Sequence, residues 1–529
     1  MKESGAWLVP TYNGAVYLDK PALFFKTVAL SLAAFGNSEA SARIPSAVAA
    51  VVLSLLVFLF CRRIYGQRCA LLAVIVIATT PLFVAYARTV IFDMMLALFV
   101  CAAIFAGYLA ELREGAARHN WYLAGAGCAG VATLVKGPIG FLIPLLVLLV
   151  FNLLDGRRGA WKRLLSPLNL LIFFGVALAW FIPLCCRHPN FLQYGLVEES
   201  FKRFTSAKRF HRSEPFFFYL PIVAATFVPW SFLLPEAIWA TWKNRWVKNS
   251  ADRLCLVWAL LVVVFFSISQ SKLPAYILSV TVALGILVAR IFDSAMNLPQ
   301  GGAAAIVRRA TAALGWLCLA AVPIGFIAAI SQARALADLL RISVSEASGL
   351  FASAVPLIVS VVLFAGIGIF AAHRRSMPLC FLCLAISMQA FGHSSFSAFS
   401  VVYEAKSARR LAKELATLPP DTELVLIECF PTGLPFYLGR TLTLCSRDCD
   451  ELTSNYIVYC TEKLGKWPEK AVPLSQLDQW ISSRRRAVCL VTTAERRWEL
   501  TPIADAHGTK VQPLAPGYVA VKLPCKEAR

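Results

Sequence analysis

Apolar runs of membrane-spanning length recur along the first three quarters of the chain and limit its fold more than any other feature. A helix needs about 20 predominantly apolar residues to cross a bilayer. The chain offers many such runs because 58% of its 529 residues are hydrophobic and only 15% are charged. The pattern predicts an all-α polytopic membrane domain with about twelve transmembrane helices. The predicted spans are residues 42–60, 70–86, 92–110, 120–135, 138–154, 167–186, 215–239, 254–270, 273–292, 310–333, 350–372 and 377–398.

The formal net charge of +21 lies largely in short loops between the apolar runs. Nucleic-acid binding would require a basic patch on a soluble fold, and the sequence indicates neither, so we predict no nucleic-acid partner. Every second loop is basic instead. By the positive-inside rule, this predicts that the basic loops are cytoplasmic and that both termini lie outside. The basic residues of the predicted inner loops are Arg62, Arg63, Arg68, Arg113, Arg118, Arg157, Arg158, Lys162, Arg163, Lys243, Arg245, Lys248, Arg253, Arg290, Arg308, Arg309, Arg374 and Arg375.

One predicted outer-face loop, residues 187–214, breaks this alternation because it contains six basic residues. Positive charge on the translocated side opposes the orientation rule, so we expect this loop to face an anionic ligand. The same loop holds Glu198, Glu199 and His211, a combination that leaves a divalent-metal site open. The six histidines are scattered and no pair has ligand spacing, so the sequence supports no definite metal or cofactor.

The chain divides by composition into three parts. Residues 1–41 are predicted to form an outer-face loop with an interfacial helix at about 21–36, and residues 42–398 to form the transmembrane domain. Residues 399–529 have a soluble composition in which strand-like and helix-like segments alternate, which predicts a small α/β domain on the outer side. Its predicted strands are 423–428, 441–444, 456–459, 487–491 and 518–521, and its predicted helices are 404–418 and 474–483.

Asp93 and Lys136 are ionisable residues within otherwise apolar segments. A charge at membrane depth costs roughly 2.5–3.5 kcal/mol on insertion scales, so it persists mainly where it lines a polar cavity or meets a charged ligand. The alternation of loops places both residues on the outer face, where they could belong to one site. Two structural alternatives stay open: an ion pair between Asp93 and Arg88, and a Lys136 that only extends its ammonium to the membrane surface.

Short motifs spread over residues 4–440 resemble those of a known family in their order and spacing, although each motif alone is weak. The family is the lipid-linked-sugar glycosyltransferases of the aminoarabinose transferase and protein O-mannosyltransferase superfamily, whose architecture is called GT-C. The aminoarabinose-transferase branch is the most similar. The motifs are residues 4–10 (SGAWLVP) with 13–14 (NG), 17–21 (YLDKP), 42–46 (ARIPS), Asp93, 136–138 (KGP), 203–205 (RFT), 229–230 (PW), 271–276 (SKLPAY), 407–409 (SAR) and 436–440 (FYLGR).

The resemblance implies a glycosyltransferase of the bacterial inner membrane that takes its sugar from a polyprenyl-phosphate donor. It implies lipid A or another cell-envelope acceptor, contact with membrane lipids, and a periplasmic C-terminal domain. Asp93 is the catalytic candidate, because a carboxylate can orient the acceptor or steady positive charge at the sugar carbon. The candidates for binding substrate, several of them cations that suit a phosphate, are Asp19, Lys20, Arg88, Lys136, Arg203, Lys272 and Tyr276.

The chain departs from the family pattern at its start. Family members carry their principal acidic residue in a first outer loop, which follows a first transmembrane helix and precedes the motif at residues 4–10. We therefore expect that helix and loop to lie upstream of this start, unless the chain is an inactive remnant. A milder departure is Ser279, where relatives often have proline.

Three other functions stay open. A protein O-mannosyltransferase-like enzyme would need a true base to activate a protein hydroxyl. A secondary transporter would show internal repeats and broken helices near the middle of the membrane, whereas the charges here lie near outer helix ends and no repeat is evident. An inactive paralogue that only binds partners is the third alternative.

Overall fold

The computed structural model describes residues 1, 5–195, 214–240, 249–331, 344–394 and 407–524. The chain divides into two compact units. The membrane unit comprises Met1–Leu8, Lys20–Phe326 and Pro356–Ser394. The C-terminal unit comprises Val9–Asp19, Ile327–Val355 and Ser395–Arg529.

Helices account for nearly all regular structure before residue 395. Within the described ranges, eight helices are long and apolar enough to cross a membrane, and two bent helix pairs raise the number to ten if each pair is one span. The helices are α1 (Leu23–Phe35), α2 (Glu39–Tyr65), α3 (Gln67–Ala78), α4 (Pro81–Ala87), α5 (Asp93–Glu111), α6 (Gly115–Lys136), α7 (Ile139–Leu154), α8 (Ala160–Leu164), α9 (Pro167–Arg187), α10 (Asn190–Gln193), α11 (Tyr219–Thr226), α12 (Leu234–Ala240), α13 (Ser250–Ile268), α14 (Leu278–Asn297), α15 (Gly302–Ser331), α16 (Val344–His373) and α17 (Met377–Ser394).

The predicted polytopic α-helical fold is confirmed, although the number of candidate spans is lower than the predicted twelve. Each predicted span falls on a helix or a bent pair, and the difference arises at α6 and α7. α7 has only 16 residues, which corresponds to about 24 Å of helix against a hydrocarbon core of about 30 Å. The first turns of α6 contain Arg118, His119 and Asn120, which shorten its apolar part.

α5, α6 and α7 form consecutive antiparallel hairpins, because only residues 112–114 separate α5 from α6 and residues 137–138 separate α6 from α7. The start of α5, the end of α6 and the start of α7 therefore lie at one end of this group. Aromatic packing holds α5 against its neighbours. The Phe105 ring stacks on Phe60 of α2 with centroids 4.1 Å apart and meets Trp258 of α13 edge-on at 5.9 Å.

Ion pairs join the helices at the opposite end, near Glu111. Five arginines from the predicted inner loops contact carboxylates there. All but the Arg157–Asp155 pair, which lies within one loop, connect separate segments, which the charge count alone did not indicate. Losing one member of such a pair leaves an uncompensated charge. The pairs are Arg163–Glu111 (2.6 Å), Arg157–Asp155 (2.6 Å), Arg253–Asp155 (2.7 Å), Arg68–Asp293 (2.7 Å) and Arg290–Asp252 (3.3 Å).

The C-terminal unit contains a six-stranded sheet in the order β5-β4-β3-β6-β8-β7. The first four strands in this order are parallel, and β8 and β7 extend the sheet in antiparallel fashion. The predicted small α/β domain is confirmed. Its strands are β3 (Glu423–Ile427), β4 (Thr443–Ser446), β5 (Ala471–Pro473), β6 (Val488–Thr493), β7 (Gln512–Ala515) and β8 (Tyr518–Leu523), and its helices are α18 (Ala408–Leu415), α19 (Leu434–Leu438), α20 (Asn455–Leu464), α21 (Leu477–Ser482) and α22 (Arg497–Ala506).

The predicted strand at 456–459 is wrong, because these residues form the first turns of α20. Two contacts satisfy N–H groups that a helix start leaves unpaired. The Ser454 hydroxyl accepts from the Ile457 N–H at 3.3 Å. The Asp19 carboxylate accepts from the N–H groups of Asn455 at 3.1 Å and Tyr456 at 2.8 Å. The second contact comes from the other end of the chain, so a local sequence pattern cannot indicate it.

Residues before α1 contribute a hairpin to the C-terminal unit, whereas the sequence predicted residues 1–41 as a single outer-face loop. β1 (Thr11–Tyr12) pairs with β2 (Ala15–Val16) through an Asn13-Gly14 turn with φ values of +51° and +83°, the conformation that an Asn-Gly turn favours. The Asn13 side-chain amide donates to the Leu442 carbonyl at 2.8 Å and accepts from the Leu442 N–H at 2.9 Å. This bidentate contact attaches the hairpin beside β4.

Candidate functional site

Asp93 and Lys136 form a buried ion pair in the membrane unit. The Lys136 Nζ lies 2.5 Å from the Asp93 Oδ1, and the side chains are 12% and 3% exposed, respectively. Asp93 is the first residue of α5 and Lys136 is the last residue of α6. The two charges predicted to lie on one face are therefore in direct contact, and Asp93 is not paired with Arg88.

The ends of two antiparallel helices favour this pair. The N-terminus of a helix carries partial positive charge and favours a carboxylate, and the C-terminus favours a cation. Asp93 lies at the N-terminus of α5 and Lys136 at the C-terminus of α6, and these two termini are at the same end of the α5–α6 hairpin. Each charge is thus stabilised by its own helix as well as by its partner, which offsets part of the cost of removing both from water.

Two aromatic rings flank the Lys136 ammonium. The Nζ lies 5.2 Å from the centroid of Phe92 and 4.7 Å from that of Tyr276, within cation–π range. Tyr276 belongs to the 3-10 turn Pro274–Ile277 that precedes α14, and its ring packs against Phe266 at 4.9 Å. An ammonium has three donors, and Asp93 accepts one of them, so Lys136 retains the capacity to donate to an incoming anion.

A tight turn between α6 and α7 positions Lys136 at the site. Gly137 has a φ of +78°, which side-chain-bearing residues rarely adopt. Gly140 approaches the backbone of α6 so closely that a Cβ would lie 2.3 Å from the Ala132 carbonyl carbon. The Lys-Gly-Pro sequence is therefore needed for the backbone path as well as for the lysine side chain.

Gly140→Ala is expected to destabilise the membrane unit by about 1–3 kcal/mol, the usual cost of overpacking a tight contact. Thermal denaturation of the purified full chain in one detergent measures the effect. Gly175→Ala in α9 is the matched control, because a Cβ there meets no atom within 4 Å and alanine favours a helix. Identical melting of the two variants would show that the close approach at Gly140 does not constrain the hairpin.

Lys272 has a contact set of its own and is 5% exposed. Its ammonium donates to the backbone carbonyls of Ser269 at 2.6 Å and Glu214 at 2.9 Å. Burial lowers the pKa of Lys272 from its ordinary value. These contacts hold the loop that immediately precedes Tyr276, so the geometry favours Lys272 as a residue that shapes the site.

The remaining predicted substrate-binding residues lie in different places. Arg88 follows α4 and is exposed, and Lys20 is half-buried in the membrane unit. Asp19 belongs to the C-terminal unit, where its carboxylate receives the first N–H groups of α20, which favours a structural role. Arg203 lies outside the described residues, as do the metal-site candidates Glu198, Glu199 and His211. Among the residues that the structure describes, no group of three or more potential ligands could hold a metal.

Phe92 and Tyr86 were not predicted as parts of the site. The Phe92 ring lies beside the Lys136 ammonium. Its position directly before Asp93, an aromatic residue next to a membrane-depth charge, is the sequence signal that could have indicated this role. Tyr86 of α4 interacts with the backbone of Ala275, next to Tyr276. The site therefore draws on α4, α5, α6 and the turn before α14, which are brought together only by the fold.

Comparison with known protein families supports the motif-based resemblance. Residues 19–186 match the family model described as dolichyl-phosphate-mannose-protein mannosyltransferase. The chain is 31% identical over 294 residues to an undecaprenyl phosphate-alpha-4-amino-4-deoxy-L-arabinose arabinosyl transferase of Edwardsiella ictaluri, covering 55% of this chain and 52% of that protein. A protein of the same name from Pseudomonas aeruginosa LESB58 is 31% identical over 299 residues, covering 56% and 53%. The matched part thus spans about half the length of these curated relatives.

Solved structures show the same fold over nearly the whole chain. The crystal structure of ArnT from Cupriavidus metallidurans in the apo state matches with a TM-score of 0.80 and 24% identity, covering 99% of this chain and 91% of that one. The structure of the same protein bound to undecaprenyl phosphate matches with a TM-score of 0.78 and the same identity and coverage. The predicted resemblance to GT-C glycosyltransferases is confirmed.

Proposed function

Since this chain is ArnT-like and has the GT-C fold, we propose that it transfers a sugar from a polyprenyl-phosphate donor to lipid A or another acceptor of the cell envelope. The observation that carries the proposal is the buried Asp93–Lys136 pair between the rings of Phe92 and Tyr276. Buried charges in a membrane protein are costly and mark sites of function. A lipid-borne phosphate is the type of ligand that brings negative charge to membrane depth.

Lys136 is the proposed contact for the donor phosphate. A solved ArnT binds undecaprenyl phosphate, and the sequence relatives are named for a donor of that lipid. In the present chain, a phosphate that approaches Lys136 would share the ammonium with Asp93, because an anion and a carboxylate can occupy different donors of one ammonium. We propose Lys20, Arg88 and Arg203 as further cations for the donor, and Tyr276 as the ring and hydroxyl beside its head group.

Asp93 is proposed to act at the reacting carbon and to keep Lys136 in place. In the transfer, the bond between the sugar carbon and the donor phosphate oxygen breaks, and its electron pair stays on the phosphate. An acceptor oxygen forms the new bond to that carbon. A carboxylate nearby stabilises the positive charge that develops on the sugar. If the acceptor is a phosphate, no proton has to be removed, whereas a protein hydroxyl would have to lose its proton to a base.

The proposal also includes an acceptor and a location. The chain is a multi-pass membrane protein, and we propose the bacterial inner membrane with the site and C-terminal domain at the periplasmic face. The basic loop at 187–214 supports an anionic acceptor such as lipid A. A protein acceptor is the second candidate, because the matching family model is described as a protein mannosyltransferase.

Reconstituted transfer tests this function. The full chain in nanodiscs is supplied with undecaprenyl phosphate carrying a labelled aminopentose or a labelled hexose, and with lipid A or a serine- and threonine-rich peptide as acceptor. Label in lipid A is the expected result, and the donor that is consumed identifies the sugar. Label in the peptide would favour the protein acceptor. Donor binding without any transfer would contradict the enzyme and favour a scaffold, and accumulation of a solute in sealed vesicles would favour a transporter.

A further inference from the structure

A polar cavity of about 270 Å³ lies in the C-terminal unit at the amino ends of β3, β4 and β5. The segments that lead into these three strands form its walls, together with the end of α21 and the residues that follow. The proposed transfer reaction uses no residue of this cavity. Its volume is at the lower end of small-molecule sites, so an occupant the size of one sugar ring with a substituent would fill it.

Four cations line the cavity: Arg440, Lys470, Arg484 and Arg486. Within the described part of the chain, Lys470 and Arg486 are exposed, and their side chains have no ion pair or hydrogen bond. Arg440 donates to the Pro420 carbonyl at 3.3 Å, which directs its guanidinium along the rim. The side chains of Arg440, Lys470 and Arg486 thus line the cavity without an ion pair to any carboxylate of the described residues.

Arg484 is held in place by an aromatic ring and a carboxylate. Its guanidinium stacks on the Trp480 ring, 4.1 Å from the centroid. Its Nε is buried, makes no hydrogen bond to the described residues and forms an ion pair with the Glu423 carboxylate at 3.6 Å. This distance is too long for a hydrogen bond. The Arg484 side chain as a whole is 37% exposed and lines the cavity, so the outer part of its guanidinium stays accessible to a bound oxyanion.

Carboxylates also line the cavity, and they narrow the choice of ligand. Asp421 and Glu469 are exposed at the rim, and Glu423 faces Arg484. Four cations against three carboxylates leave a small positive excess, so the cavity does not suit a highly charged polyanion. A ligand with one anionic group for the cations, and hydroxyl groups that donate to the carboxylates, fits both features.

We propose that this cavity binds a phosphorylated monosaccharide unit, either as a free sugar phosphate or as the head group of a lipid. The phosphate would be held by Lys470, Arg484 and Arg486, since arginine and lysine are the main phosphate-binding side chains. The sugar hydroxyls would contact the rim carboxylates. The proposal is independent of the transfer reaction, because it rests only on residues of the C-terminal unit.

Calorimetric titration of the full chain in nanodiscs tests the proposal. The probes are glucose 1-phosphate, glucose, inorganic phosphate and nanodiscs that contain lipid A. The test variant is Arg440→Gln/Lys470→Gln/Arg486→Gln, and the control is Lys413→Gln/Lys510→Gln, which removes two exposed cations of the same unit outside the cavity. We expect glucose 1-phosphate to bind more tightly than glucose, and the test variant to weaken this binding by about tenfold or more while the control leaves it within twofold.

The results with the different probes distinguish the two ligand sources and can overturn the proposal. Binding of glucose 1-phosphate that the test variant loses supports a free sugar phosphate, and a binding heat that requires lipid A and is lost in the same variant supports a lipid head group. Equal binding by the test variant and the control, equal binding of glucose and glucose 1-phosphate, or no binding of any probe would overturn the proposal. The substituted side chains are exposed or at the rim, and unchanged melting of the variant verifies its fold. Transfer activity of the wild-type chain is measured in parallel. If no transfer were detected, the proposed enzyme function would be contradicted and the proposed ligand site would not be affected.

Discussion

Asp93→Asn is expected to lower the rate of sugar transfer by about 10²–10³-fold, the range typical of losing one group that stabilises charge in the transition state. The substitution keeps the size of the side chain and removes its charge. It therefore removes both the negative charge proposed to face the developing positive charge on the sugar and the partner that holds Lys136 at 2.5 Å. Transfer of labelled sugar under saturating donor measures the effect as a change in turnover.

Glu111→Gln is the matched control for Asp93→Asn. Glu111 is also a buried carboxylate of α5 in an ion pair, with Arg163 at 2.6 Å, but it lies at the other end of the helix, about 27 Å away at 1.5 Å per residue. We expect this variant to lose stability and to keep its turnover per folded molecule. If both variants lost turnover in proportion to their loss of folded protein, Asp93 would have only a structural role.

Lys136→Met is expected to have the second large effect, and it acts on binding and on stability together. Methionine retains most of the apolar stem and removes the ammonium, which leaves Asp93 buried without its partner. Breaking a buried ion pair in this way costs about 3–5 kcal/mol. Loss of the proposed phosphate contact should raise the KM for the lipid-linked donor, in contrast to Asp93→Asn, whose main effect is on kcat.

The double variant Asp93→Asn/Lys136→Met separates the two contributions of Lys136. With both charges removed, no unpaired charge is left in the core, so the double variant should melt at a higher temperature than Lys136→Met alone. It should still bind undecaprenyl phosphate poorly. Recovery of donor binding along with stability would indicate that Lys136 contributes only to the fold.

The sequence placed Asp93 and Lys136 on one face, and the structure brings them into contact. Their proximity could be predicted because the lengths of the apolar runs determine at which end of a helix a residue lies. This signal does not specify which residues meet across helices. The structure therefore decides that Asp93 contacts Lys136, although Arg88 is nearer in sequence.

Asp19 shows where the sequence-based interpretation reached its limit. It lies in the motif at residues 17–21, beside Lys20, and was predicted to bind substrate together with it. In the structure, the carboxylate of Asp19 receives two N–H groups of a helix that begins 436 residues later. Val9–Asp19 therefore belongs to the C-terminal unit, and no periodicity or composition near Asp19 could have indicated this partner.

The amino-acid sequence by itself determined the class of this protein: a polytopic helical membrane domain and a small α/β domain, with Asp93 and Lys136 near one end of their helices. These features depend on apolar length, charge and local motifs, which are properties of short segments. Only the tertiary structure decided that Asp93 and Lys136 pair between Phe92 and Tyr276, that Lys272 donates to the Glu214 carbonyl, and that the first hairpin attaches to the last domain. Those contacts join residues distant in sequence, so their energies depend on how the whole chain packs.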